Sequence, residues 1–120
     1  MIYQMTAVSL SKEIQKVLMR EANSSEERCG FIASKEGHTV VIHVPNVSRS
    51  PKDSFQFHED IFIETIKTRF DEIEGIWHTH PSKASHPSDL DLLYAPFKPS
   101  RWKYWIATTD GVFQYDFPVK

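Results

Sequence analysis

One run of residues constrains the chain more than any other: Gly75-Ile76-Trp77-His78-Thr79-His80-Pro81-Ser82-Lys83-Ala84-Ser85-His86-Pro87-Ser88-Asp89-Leu90-Asp91. In a strand, successive side chains point to opposite faces. With residues 74–79 extended, His78 and His80 therefore project to one side, and both imidazoles can reach one ion. Pro81 then ends the strand. The segment from Pro87 to Tyr94 reads as a helix start, with Ser88 as N-cap and Asp91 three residues on, aimed back at the strand end. Two imidazoles and a carboxylate form a zinc donor set, and three protein ligands leave a fourth position for water, as catalytic sites require. Alone, His-x-His reads as a surface pair and Ser-x-x-Asp as an ordinary cap. Their co-occurrence between His78 and Asp91 points to a metal site.

The order His78-x-His80-Pro81, six further residues, then Ser88-x-x-Asp91 resembles the signature of the JAMM (MPN+) zinc metalloproteases, and every signature position is filled. That family places a general-base glutamate just before a small pair such as Cys-Gly, at the entry to an early strand. Glu27-Arg28-Cys29-Gly30 resembles this element, and the spacing Glu-x-Cys-Gly matches Glu27 rather than its neighbour Glu26. The resemblance implies zinc held by His78, His80 and Asp91, proton transfer by Glu27, and an oxyanion donor in the hydroxyl of Ser88. It also implies a JAB/MPN domain of cytidine-deaminase-like architecture. The implied reaction is hydrolysis of the peptide or isopeptide bond after the C-terminal glycine of a ubiquitin-like modifier or a sulfur-carrier protein. The chain has no room for the long insertions with which eukaryotic members grip ubiquitin chains, so a modifier or sulfur carrier is the expected substrate. The alternative is a scaffold, as in metal-free MPN relatives that only assemble complexes. Such a chain is expected to lose ligands, and here all five signature residues are present.

Size and charge narrow the remaining classes. At 120 residues the chain is long enough for a core and short for two domains, so one domain over 1–120 is expected. Fourteen Lys and Arg against sixteen Asp and Glu leave a net charge of −2, with no basic run, so neither a nucleic acid nor an anionic membrane is an expected partner. The single cysteine forms no internal disulfide, and no apolar stretch approaches the ~20 residues that span a bilayer. No secretory signal pattern opens the sequence, and a cytoplasmic location is expected. The pattern does not set an oligomeric state.

Along the chain, residues 2–8 are compatible with a short strand. From Ser9 or Ser11 as N-cap, Leu10, Ile14, Val17 and Leu18 recur at helical spacing to about Ala22. Cys29 to Ser34 and Thr39 to Val44 are strand-like and flank Lys35-Glu36-Gly37-His38, which reads as a hairpin turn. Pro45 to Ser54 is a loop. Phe62, Ile66, Phe70 and Ile73 give one apolar face to a helix expected over Glu59–Ile73, with Gly75 as its terminator. Trp77, facing away from His78, is expected in the core. Trp102 to Thr108 and Val112 to Phe117 bracket Thr109-Asp110-Gly111, a second hairpin signal. The order β-α-β-β-α-β-α-β-β predicts an α/β fold with a mixed central sheet packed by helices.

The other reactive residues have plainer readings. Cys29 sits among strand-like neighbours and is expected to be a packing residue, not a nucleophile. His38, His43 and His58 lack a partner at ligand spacing; His86 lies in the loop between ligands and is expected to line the cleft without binding metal. Tyr94, Phe97, Trp102, Tyr104 and Trp105 are expected to fill the core. Zinc-dependent nucleobase deamination is disfavoured, since its His-x-Glu and Pro-Cys-x-x-Cys elements are absent from the sequence.

Overall fold

The computed structural model describes residues 3–56, 69–94 and 101–117. Among these, six strands form one sheet. In chain order the elements are β1 (Gln4–Thr6), α1 (Lys12–Glu21), β2 (Cys29–Lys35), β3 (His38–Val44), β4 (Glu72–Thr79), α2 (Asp89–Tyr94), β5 (Lys103–Thr108) and β6 (Gly111–Asp116). The order across the sheet is β1-β6-β5-β4-β2-β3. β4 runs parallel to β5 and antiparallel to β2, so the sheet is mixed, as expected. No helix among the described residues is long and apolar enough to cross a membrane.

Of the two candidate caps for α1, Ser11 is the one used: its side chain accepts from the N–H of Ile14. Ser9 instead donates its N–H and hydroxyl to Gln114 Oε1, at 2.8 and 3.0 Å. The β2–β3 hairpin turns on only two residues, Glu36 and Gly37, with φ of 50° and 80°. Positive φ at both central positions matches the right-handed twist of the flanking strands. The β5–β6 turn is Thr109-Asp110, and Gly111 is already paired with Thr108. The Thr108 hydroxyl oxygen accepts the N–H groups of Asp110 and Gly111, both at 3.1 Å.

Two expectations around residue 73 are corrected. Of the helix expected over Glu59–Ile73, residues 59–68 lie outside the described residues, and its predicted end is strand: β4 begins at Glu72, and Ile73 pairs with Ala33. An apolar residue three after Phe70 satisfies the helical period, but it equally fills an inward position of a strand, and pairing with β2 decides. Gly75 is likewise no helix terminator. It lies inside β4, where a β-carbon would stand 1.9 Å from the Lys103 carbonyl oxygen. The residue is glycine because the β5 backbone passes through the space a side chain would take.

The sheet is packed on both faces. Leu18 of α1 and the C-cap residue Ala22 cover one, against Ile32, Trp77, Trp105 and Ala107. The other carries Cys29, Phe31, Ile76, Tyr104, Ile106 and Tyr115, with Phe55 and Phe70 packed on it. Trp77 is in the core, as expected, and its indole crosses above Gly30 to donate to the Ile42 carbonyl at 3.1 Å.

Candidate metal centre

The centre forms where β4 ends. His78, the penultimate residue of β4, lies between Cys29 of β2 and Ile106 of β5, so its backbone is fixed from both sides. His80 follows the strand and donates its N–H to the Ala107 carbonyl at 3.0 Å, which continues the sheet alignment and keeps both rings on one face. A turn after Pro81, with Lys83 at φ 66° and its N–H on the His80 carbonyl, folds the chain back. The Ala84 carbonyl thereby reaches His80 Nδ1 at 2.8 Å. A carbonyl only accepts, so Nδ1 carries the proton and Nε2 keeps its lone pair for a ligand.

Asp91 arrives from α2. Its Oδ2 accepts the Ser88 N–H at 2.8 Å, while its own N–H donates to the Ser88 hydroxyl at 3.2 Å, the reciprocal pair of a helix cap. The same Oδ2 lies 3.0 Å from His78 Nε2 and 3.2 Å from His80 Nε2, and the two Nε2 atoms are 2.9 Å apart. Three donor atoms thus converge on one point. Their fit to zinc can be tested: bonds of about 2.0 Å at tetrahedral angles set donor atoms roughly 3.3 Å apart, close to the separations found. The set also satisfies the preference of zinc for imidazole nitrogen and carboxylate oxygen.

Glu27 completes the cluster: one ligand atom from each of Glu27, His78, His80 and Asp91 falls within 4.8 Å of the others. Its peptide is tied from three directions. The Glu27 N–H donates to the Pro51 carbonyl at 2.6 Å and its carbonyl accepts from Asn46 Nδ2 at 2.8 Å. The next residue, Arg28, exchanges hydrogen bonds with Thr79, N–H to hydroxyl at 2.8 Å and carbonyl to N–H at 2.9 Å. Glu27 Oε1 is buried and has no hydrogen-bond partner among the described residues. Glu26, by contrast, is exposed.

The electrostatics follow from burial. Burial, with Asp91 and Asp53 nearby, pushes the Glu27 carboxyl up to about 8 against the attraction of His80. His78 is held below the ordinary histidine value by burial, which outweighs Asp91. For His80 burial acts in the same sense, but hydrogen bonds to Asp91 and Ala84 raise it. Asp91, although buried, is lowered by His78, His80 and the Ser88 N–H.

The other candidates stay outside the cluster. Cys29 is buried, and burial with neighbouring Glu27 pushes its thiol up to about 12. His38 and His86 are exposed, and His43 pairs with Glu21 at 2.7 Å. His58, Phe97 and the side chain of Tyr94 lie outside the described residues. Trp102, Tyr104 and Trp105 are buried, as expected. Three contributors were not singled out from the sequence: Asn46, Phe55 and Thr79. Phe55 stacks on the His78 ring with centroids 4.4 Å apart and planes 25° apart. Thr79 carries one signal in hindsight, a β-branched hydroxyl between two ligands on the opposite face.

Fold and centre together define an α/β domain with a histidine–carboxylate site at the end of a central strand. The chain belongs to the prokaryotic homologs of the JAB domain, whose family model matches residues 11–116. Two solved structures are similar in fold. A solution structure of a protein from Desulfitobacterium hafniense is 21% identical with a TM-score of 0.63, over 92% of this chain and 90% of that one. One from Salinibacter ruber (strain DSM 13855) is 14% identical with a TM-score of 0.57, over 90% of this chain and 80% of that one. No curated protein matches the chain.

Proposed function

We propose that the chain is a zinc-dependent peptidase or isopeptidase that hydrolyses the amide bond after the C-terminal glycine of a ubiquitin-like modifier or a sulfur-carrier protein. The observation that carries this reading is the convergence of His78, His80 and Asp91 on one point, with the buried carboxyl of Glu27, whose Oε1 has no hydrogen-bond partner among the described residues, in the same cluster. Membership of the JAB family supports it. The substrate class rests on the JAMM-type arrangement of the signature residues.

His78, His80 and Asp91 would hold the zinc, and the chemistry it would supply there is Lewis acidity towards a carbonyl and a water. The other work belongs to the chain. The role of Glu27 is to take a proton from water and return it to the leaving amine, and its buried carboxyl in the same cluster as the three donors supports that reading. Ser88 accepts from the Asp91 N–H, and its hydroxyl proton serves the developing oxyanion. The Ala84 carbonyl holds the His80 tautomer throughout. No covalent intermediate is required.

The test uses tag-free protein and a ubiquitin-like protein joined through its C-terminal glycine to a reporter amine. The parent releases the reporter, and Glu27→Gln and chelator-treated protein do not. Release that survives both treatments overturns the proposal.

A further inference from the structure

The loop after β3 contains a side chain whose whole hydrogen-bonding capacity is used next to the centre. Asn46 Nδ2 donates to the carbonyls of Glu27 at 2.8 Å and Ser54 at 3.0 Å, and its Oδ1 accepts the N–H groups of Ser48 and Gln56, both at 3.0 Å. Two donors and two acceptor positions are all an amide offers. Ser54 and Gln56 are the residues on either side of Phe55, and the Gln56 carbonyl also accepts from the Val47 N–H at 2.7 Å. Asn46 therefore clamps the peptide on both sides of Phe55 and ties it to Glu27. Held in this way, the Phe55 ring lies nearly parallel on the imidazole of His78.

We propose that Asn46 and Phe55 are positioning residues for metal capture: Asn46 fixes Phe55, and Phe55 fixes the His78 ring with Nε2 aimed at the point it shares with His80 and Asp91. The inference rests on the reading of the cluster as a metal centre. A ligand ring free to rotate loses that freedom on binding, and a ring already stacked does not, so prior ordering strengthens binding without touching the ion. Outer partners that orient a ligating histidine typically contribute 10–100-fold in metal affinity. An aromatic face also keeps water off the imidazole, which no hydrogen bond from the loop achieves.

The probe is zinc alone, titrated into metal-free protein against a chromophoric chelator, with thermal unfolding of each variant in parallel. Phe55→Ala is expected to bind zinc about tenfold or more weakly, and Phe55→Tyr, which keeps the flat ring, to bind like the parent. Phe55→Leu preserves apolar volume without the face; it is expected to show the same direction of loss and carries the test if the alanine variant does not fold. Asn46→Ala is expected to weaken binding too. Because Asn46 acts through Phe55, the double variant Asn46→Ala/Phe55→Ala should bind no more weakly than Phe55→Ala. A loop that only supports the fold lowers the unfolding temperature and leaves zinc affinity unchanged. Parental affinity in Phe55→Ala or folded Phe55→Leu, with zinc bound by the parent, overturns the positioning roles alone. Additive losses in the double variant overturn the coupling. A parent that binds no zinc overturns the metal reading, and this inference with it.

Discussion

Ser88 and Asp91 hold each other through main chain as well as side chain: the carboxylate of Asp91 rests on the Ser88 N–H, and the Ser88 hydroxyl receives the Asp91 N–H. The clamp on the ligand is thus a backbone donor, which no substitution at position 88 except proline removes. Ser88→Ala should keep zinc bound while losing about 1 kcal/mol of stability from the cap. Its turnover should fall by about 10²–10³-fold from the missing oxyanion donor. Ser88→Asp restores a cap but offers no proton, so zinc-loaded protein should unfold near the parental temperature and hydrolyse no faster than Ser88→Ala. Parental turnover in Ser88→Asp would reduce Ser88 to a cap.

The ligands themselves make a simpler case. His78→Ala, His80→Ala and Asp91→Ala should each release most of the zinc, read by metal content after dialysis. Full retention in all three ends the metal assignment.

Glu27→Gln should retain zinc and lose hydrolysis by about 10²–10⁴-fold. It also carries a pH signature in the metal-free protein. Burial raises the folded carboxyl from 4.5 to about 8, so between those values the folded state holds a proton that the unfolded state has released. Its contribution to stability is therefore full below about 4.5 and declines as pH rises towards 8. Denaturant unfolding at pH 5 and pH 8 should show a smaller drop for Glu27→Gln than for the parent, and equal drops would remove the buried-acid account.

Gly75→Ala probes the approach of two backbones. A β-carbon there meets the Lys103 carbonyl at 1.9 Å, and a strand cannot swing away as a flexible side chain can. We expect a loss of about 3 kcal/mol or more, or failure to fold, measured by thermal unfolding. Gly37→Ala is a useful contrast, because nothing lies within 4 Å of its β-carbon and only the positive φ is strained.

Cys29 should be chemically quiet. With the thiol buried and pushed up to about 12, alkylation by iodoacetamide at pH 8 should be slow in the folded protein and fast in denaturant. Cys29→Ala should hydrolyse substrate at close to the parental rate.

What the sequence made legible was what short-range chemistry dictates. His78 and His80 share a face because strands alternate. Ser88 caps because its hydroxyl reaches a nearby N–H, and Gly37 permits the turn it occupies. The mixed sheet followed from the order of the elements. Other features depend on distant neighbours. Gly75 looked like a helix end because the β5 backbone beside it is brought there from residue 103. Ile73 fits either period, and only its partner Ala33 selects the strand. Asn46 sits in the segment that reads as loop and Phe55 just after it, and loop composition says nothing about bonds to residues up to nineteen positions away.

The parallel pairing of β4 with β5 also dictates when the centre can assemble. The β2–β3 and β5–β6 hairpins close over two residues each, and such local pairs form within about 1–10 μs. Joining β4 to β5 must instead wait for the connection that carries α2 to loop back, a slower closure of the kind that makes non-local sheets late to form. His78 belongs to the strand, Asp91 to the connection and Glu27 to the segment that leads into β2. On the proposed metal reading, capture of an ion is expected late in folding, and its uptake in a stopped-flow refolding trace should mark the moment at which the two hairpins become one sheet.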